Sequence, residues 1–235
     1  MSEAATRLAE VGSRIRAACA AAGRDPDSVE LIAVSKTFPA DAVREVYEAG
    51  QRVFGESRQQ EAVSKIAALP GNIRWHFIGR VQRNKARKLL SDFPVIHAVD
   101  SLRLAVHMNE IAAELGLFPK IFLQVNLAGE TTKGGFEPAA LAAELAALAA
   151  LGRLEIQGLM TIPPEGPDGE AARPWFIRLR ALRDDLQQRH GVPLPGLSMG
   201  MSGDFEVAVA EGATHVRVGA AIFGHRAYRV EGELG

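Results

Sequence analysis

Lys36 stands directly after a run of apolar strand formers, Leu31-Ile32-Ala33-Val34-Ser35. Residues in such a run belong to a core, where desolvation penalises an ammonium and lowers its pKa, freeing an amine for Schiff-base chemistry with a carbonyl. Taken alone, a lysine in this place is more often a side chain snorkelling out at a strand end. What surrounds it in the rest of the chain decides between the two.

Two stretches have the composition of phosphate-binding loops: Ser198 to Asp204, SMGMSGD, and Gly219 to Gly224, GAAIFG. Phosphate needs backbone N–H groups at close range and hydroxyl donors, which Ser202, Gly219 and Ala220 supply on small residues that permit close approach. The Gly-Ala-Ala run is equally compatible with tight helix–strand packing. Between the two stretches, Thr214-His215-Val216-Arg217-Val218 alternates with period two, so Arg217 is expected to face opposite to Val216 and Val218, into an apolar interior. A buried guanidinium needs an acceptor; a pyridine nitrogen and a structural carboxylate are both open. The same reading marks Ser57 in Phe54-Gly55-Glu56-Ser57, and His76, which faces opposite to Trp75 and Phe77 and reads as a lone hydrogen-bonded core histidine. There is no Cys/His metal cluster and no GxSxG elbow.

These residues need elements to hold them. Strand-like runs occur at 29–35, 52–54, 74–78, 95–99, 120–126, 154–160, 194–198 and 214–218, each followed by a helical stretch or a short turn into one. Alternating β and α units at this spacing demand parallel strands with helical crossovers, and eight of them in 235 residues predict an α/β fold: a (β/α)8 TIM barrel preceded by an extra N-terminal helix. An open doubly wound sheet is the alternative, weakened because no GxGxxG or GxxxxGK[ST] fingerprint follows the first strand. The alanine-rich stretch 139–150, opened by Pro138 and stopped by Gly152, reads as one crossover helix. With no linker-like stretch and little chain after the eighth strand, residues 1–235 are expected to form one domain. In such a barrel the site lies at the C-terminal ends of the strands, and the loops after strands seven and eight bind phosphate.

Composition narrows the function classes. Basic and acidic residues number 27 and 28, giving a net charge of −1 and no global field for capturing nucleic acid or an anionic membrane. The cluster Arg80, Arg83, Lys85, Arg87 and Lys88 reads as the solvated face of a surface helix. No apolar run approaches the ~20 residues needed to span a bilayer. Charges interrupt the N-terminal stretch, so it lacks the apolar core of a secretory signal, and a cytoplasmic location is expected. The single cysteine, Cys19, falls in register with Leu8, Val11 and Ile15 and reads as a small buried hydrophobe. With no long exposed apolar stripe to demand a partner, a monomer is expected.

Taken together, AVSKTFP, FGESRQQE, WHFIGRVQRNK, GLMTIPP, LSMGMSGDFEVAVAEG and VRVGAAIFGHR resemble the YggS/PROSC (PLPBP) family of pyridoxal phosphate homeostasis proteins, in order and at comparable spacing from about Val29 to Arg226. The resemblance implies the barrel of the alanine racemase N-terminal domain and pyridoxal 5'-phosphate (PLP) as cofactor. It implies that Lys36 holds the cofactor as a Schiff base, that Arg217 faces the pyridine nitrogen and that Ser202, Gly219 and Ala220 bind the phosphate. His76, Ser198 and Met201 match the pocket wall. The sequence departs from the family pattern at Ser57, where asparagine is frequent, and at Ala220, where threonine is. The first departure bears on a side-chain contact to the ring; the second removes a hydroxyl donor but keeps the backbone N–H.

A racemase needs acid/base groups on both faces of the cofactor, and Lys36 supplies one. In alanine racemases, the resemblance implies, the other is a tyrosine from a C-terminal domain of the partner subunit. The tyrosines of this chain are Tyr47, in the helix after strand one, and Tyr228, beyond the last barrel element. An arginine at the ring nitrogen also weakens the cofactor as an electron sink. The expectation is therefore a protein that buffers PLP or delivers it to apo forms of PLP-dependent enzymes; the alternative is a weak racemase-like enzyme. A cofactor-free Schiff-base aldolase keeps Lys36 but has no use for Arg217. The loop 128–136, with Lys133-Gly134-Gly135, is read as a mobile gate for cofactor entry.

Overall fold

A computed structural model describes residues 2–130 and 134–224. Eight parallel strands close into a barrel in sequence order. They are β1 Glu30–Val34, β2 Val53–Glu56, β3 Arg74–Phe77, β4 Val95–Val99, β5 Lys120–Gln124, β6 Glu155–Met160, β7 Gly196–Ser198 and β8 His215–Val218. The barrel shuts where β8 pairs with β1, from Glu30 opposite His215 to Ala33 opposite Val218. Every strand expected from the apolar runs is present, with ends that shift by a few residues. The longest extension is in β2, which continues through Gly55 and Glu56 because both are fully covered by neighbouring elements.

Around the barrel lie α1 Glu3–Ala21, α2 Ala40–Glu48, α3 Gln59–Ala68, α4 Ala86–Asp92, α5 Leu102–Leu115, α6 Pro138–Ala149, α7 Arg173–His190, α8 Phe205–Ala210 and α9 Ala220–Phe223. The alanine-rich segment is helix α6, as its composition predicts. Pro138 sits in its first turn, where a missing N–H costs nothing, and Leu141, Leu145 and Leu148 form its buried stripe. Helices α8 and α9 are only six and four residues long, too short to cover the β8–β1 seam. The extra helix α1 covers it. Its buried residues Ala4, Val11, Ile15 and Cys19 recur at helical spacing, and burying each of the larger ones contributes about 1.5–3 kcal/mol. On its outer side Arg14 makes a paired contact to Glu206 of α8, at 2.8 and 2.7 Å, and Arg7 Nε donates to the Ile222 carbonyl at 2.8 Å.

The main core is the layer between barrel and helices. Inside the barrel the apolar cluster is small: Ala98, Phe122 and Met160, with Val95 against them. Gly196 makes room for it, since a Cβ there would lie 2.7 Å from the Phe122 ring. The expectation of an apolar interior around Arg217 is therefore corrected. His76, His97, Ser198 and Arg217 are all buried there.

Candidate functional site

The C-terminal mouth brings together the ends of β1, β2, β7 and β8. Because β8 pairs with β1, the loop that follows Val218 lies beside the turn that carries Lys36. The approach is close: a Cβ on Gly219 would stand 3.3 Å from the Val34 carbonyl oxygen. The Phe38 and Phe223 rings stack with centroids 5.0 Å apart, tying that turn to α9.

Lys36 itself is exposed. The burial expected from its strand neighbours ends one residue earlier, at Ser35, because β1 stops at Val34 and the chain turns. Desolvation by the strand is thus not what distinguishes this lysine, and the sequence argument is corrected on that point. The turn distinguishes it instead. Thr37, with φ of 71°, is the only non-glycine residue with positive φ among the described residues. For a β-branched side chain the left-handed region costs about 1–2 kcal/mol, which surrounding contacts must offset.

Arg217 lies inside the barrel at 4% exposure. Its Nη1 donates to Ser198 Oγ at 2.6 Å and its Nη2 to the Thr161 carbonyl at 2.9 Å. No carboxylate pairs with it among the described residues, so the structural ion pair left open by the sequence is absent there. Burial lowers its pKa to about 10, with the charge of Asp204 acting in the opposite direction, so it stays a cation at neutral pH. The rest of its donor fork makes no hydrogen bond to the described residues, which suits it to an acceptor such as a ring nitrogen.

Ser198 continues the network, with its Oγ 2.8 Å from His97 Nδ1 and His97 Nε2 3.0 Å from His76 Nδ1. An arginine can only donate, so the buried Ser198 hydroxyl is fully satisfied when its O–H donates a hydrogen bond to His97 Nδ1. His97 then carries its proton on Nε2 and donates that N–H to His76 Nδ1, so the Nε2–H of His76 faces Glu30 Oε2 at 3.9 Å. Burial holds His97 well below the usual histidine range and His76 down to about 3, so both rings are neutral links. His76 is therefore not a lone histidine. It reaches the mouth through His97 and Ser198, and itself lines a cavity of about 490 Å³ at the opposite, N-terminal end, with Glu30, Phe122 and His215.

The two loops expected to bind phosphate meet at one hydroxyl. Ser202 Oγ accepts from the Gly219 N–H at 3.1 Å and the Ala221 N–H at 3.3 Å. Gly200, with φ of 95°, lets the β7 loop fold down onto α8, where a Cβ would lie 2.6 Å from that of Ala208. The Ala220 N–H has no partner among the described residues, so small-residue backbone and a hydroxyl converge where an anion would sit. Met201 is 37% exposed on the same loop. Ser57 is half-buried just past β2, its backbone packed so closely on Gly79 that a Cβ there would meet the Ser57 carbonyl oxygen at 2.2 Å.

Sequence reasoning missed a buried charged group beneath the Lys36 turn. Lys65 of α3, 3% exposed, donates to the Ser35 carbonyl at 2.8 Å, to Glu56 Oε1 at 2.7 Å and to Glu61 Oε1 at 3.1 Å. Glu56 Oε1 also accepts from Ser35 Oγ at 2.7 Å, and Glu61 accepts the Thr37 N–H. Burial pushes the Glu56 carboxyl above its ordinary pKa, against the pull of the Lys65 and Ser35 hydrogen bonds. A signal was present: Lys65 occupies the apolar stripe of α3 between Ala62 and Leu69, where a charge needs a partner. His97, a polar residue inside the strand 95–99, carried a similar signal.

Of the remaining expectations, the basic cluster of residues 80–88 is solvated, with Arg83, Lys85, Arg87 and Lys88 exposed over a short 3-10 turn and α4. Cys19 is fully buried. Tyr47 donates to Asn72 at 2.8 Å, outside the barrel; Tyr228 lies outside the described residues. Lys133 of the loop read as a gate also lies outside them, while Gly134 and Phe136 are hydrogen-bonded to Gln124 at the end of β5.

A closed parallel barrel with an exposed lysine after β1, a buried arginine on β8 and small-residue loops after β7 and β8 defines the alanine racemase-like class of barrels. The chain matches the family described as alanine racemase, N-terminal domain, over residues 7–227. It is 47% identical over 232 residues to the pyridoxal phosphate homeostasis protein of Pseudomonas aeruginosa, covering 97% of this chain and 98% of that one. It is 44% identical over 226 residues to the protein of the same name from Aquifex aeolicus, covering 96% and 99%. Among solved structures, PipY of Synechococcus elongatus with PLP bound is 46% identical, with a TM-score of 0.85 over 94% of this chain and 100% of that one. Alanine racemase of Clostridium difficile, at 19% identity, shares the fold alone, with a TM-score of 0.68 over 92% of this chain and 59% of that one. The chain belongs to the pyridoxal phosphate homeostasis protein family.

Proposed function

We propose that this protein binds PLP as a Schiff base on Lys36 and serves PLP homeostasis, buffering the cofactor or delivering it to apo forms of PLP-dependent enzymes, without robust catalysis of its own. The observation that carries the reading is the buried Arg217. It has no carboxylate partner among the described residues, it is fixed by Ser198 and Thr161, and it lies one strand away from Lys36 with the remainder of its fork unspent. The PLP-bound structure of PipY and the names of the full-length relatives support the same cofactor.

Bound PLP supplies a reactive aldehyde and a potential electron sink; the protein's residues determine which is used. Lys36 engages the aldehyde. The Ser202 hydroxyl, fixed by the N–H groups of Gly219 and Ala221, and the backbone N–H of Ala220 hold the phosphate, with Met201 beside them and Ser57 toward the ring. Arg217 donates to the ring nitrogen and keeps it unprotonated, which blunts the sink. Tyr47, committed to Asn72 outside the barrel, is not placed to serve as a second acid/base group. Ser198 and, at one remove, His97 and His76 hold Arg217 in place.

The protein acts as a cytoplasmic monomer in this reading. Its exposed large apolar side chains, Val106, Phe118, Ile162, Ile177 and Met201, are scattered over different elements. No helix among the described residues is long and apolar enough to cross a membrane. The test uses PLP-loaded protein in deuterated water with each alanine enantiomer, and separately with an apo PLP-dependent enzyme. Reactivation of the apo-enzyme with no label entering the alanine Cα is expected. Label that enters at a catalytic rate, and disappears in Lys36→Ala, would replace the carrier with a racemase.

A further inference from the structure

Lys36 has an exposed side chain and no hydrogen bond or ion pair among the described residues, so whatever aims it acts through its backbone. The two peptide groups that flank it are both held from α3. The Ser35 carbonyl on one side accepts from Lys65 Nζ at 2.8 Å, and the Thr37 N–H on the other donates to Glu61. Lys65 and Glu61 are one turn apart on the same helix and pair with each other at 3.1 Å, so the two grips form one rigid unit. Glu56 anchors it from β2 through Lys65 at 2.7 Å and Ser35 Oγ at 2.7 Å. Glu56 uses only one oxygen for this; Oε2 is buried without a hydrogen-bond partner among the described residues, unusual for a carboxylate that merely fills a core. Immediately after the second grip the chain adopts the left-handed conformation at Thr37, which a free turn of this sequence would relax out of.

We propose that Lys65, Glu61 and Glu56 are positioning residues for Lys36: by clamping the peptides on both sides they hold its amine at the angle needed to react with the PLP aldehyde. The inference rests on the assignment of Lys36 above. The group touches neither phosphate nor ring contacts, so its effect is confined to the covalent part of binding. Arg217 and the Ser202–Gly219 loop act on a different part of the ligand.

The experiment compares the affinities of PLP and pyridoxine 5'-phosphate, which has the same ring and phosphate but no aldehyde. Wild-type protein should prefer PLP. Glu61→Ala, which removes the acceptor of the Thr37 N–H at a side chain only partly buried, should lower PLP affinity by about tenfold or more while leaving pyridoxine 5'-phosphate within about twofold. Glu61→Gln, which keeps an acceptor oxygen, should restore most of the preference. The paired change Lys65→Met with Glu56→Leu, an apolar replacement of the buried ion pair whose folding is checked by circular dichroism, should show the same selective loss. Equal losses for both ligands would make the cluster merely structural, and unchanged PLP affinity would show that Lys36 needs no clamp; either overturns the proposal. A wild-type protein with no preference for PLP would instead overturn the Lys36 assignment itself.

Discussion

At the scale of single residues, Arg217 and Ser198 carry the site's electrostatics. Ser198→Ala leaves Arg217 Nη1 and His97 Nδ1 facing each other across a buried gap with no hydroxyl between them. We expect a loss of about 1–3 kcal/mol in urea unfolding and a shifted absorption of bound PLP, since the arginine is free to move off the ring nitrogen. Ala220→Thr should work in the opposite direction. It adds a hydroxyl beside the N–H proposed above to hold the phosphate, and titration should show binding tighter by about three- to tenfold. The inward direction of Arg217 was legible because period two is strict in a strand. Its hydrogen-bond partners were not, because Ser198 at the end of β7 and Thr161 just past β6 meet it only when the barrel closes. Lys36 was legible as a position but not as an environment: strand burial ends at Ser35, and the contacts that fix its turn come from α3.

At the scale of elements, the periodicities that located the eight strands and α6 reflect burial on both faces of a strand and on one stripe of a helix. They reported elements well and boundaries less well. Leu145→Ala on α6 tests this separation of scaffold from site. Its side chain is fully buried, so truncation should cost about 2–5 kcal/mol in unfolding free energy while PLP affinity stays unchanged. A change in affinity would show that α6 reaches the mouth. The short helices α8 and α9 were hardest to read, since their brevity makes sense only with α1 laid across the same seam. The Arg14–Glu206 contact across that seam is about half exposed, and Arg14→Ala should lower stability by less than about 1 kcal/mol.

At the scale of the whole molecule, the barrel encloses histidines that must stay neutral. Burial lowers His97 well below its ordinary pKa, His76 to about 3 and His215 to about 4, whereas in the unfolded chain each titrates near 6.5. Below that value the unfolded chain takes up protons that the folded barrel refuses. Stability is therefore full above about pH 6.5 and falls as the pH drops toward the folded values, by about 1.4 kcal/mol per pH unit for each fully buried histidine. Glu56, whose pKa is raised, acts in the opposite sense just above 4.5, where the folded state binds the extra proton. Urea titrations at pH 7.5 and 5.5 should show the loss, and His97→Gln should flatten it. A stability independent of pH across that window would mean that the histidines are hydrated in the folded state.

The most direct test of the account is a visible absorption spectrum of the purified protein mixed with PLP, followed by borohydride reduction and peptide mapping. The account predicts a yellow protein whose reduced adduct is a phosphopyridoxyl group fixed on Lys36 and absent from Lys36→Ala. A colourless protein, or an adduct fixed on another lysine, would contradict it.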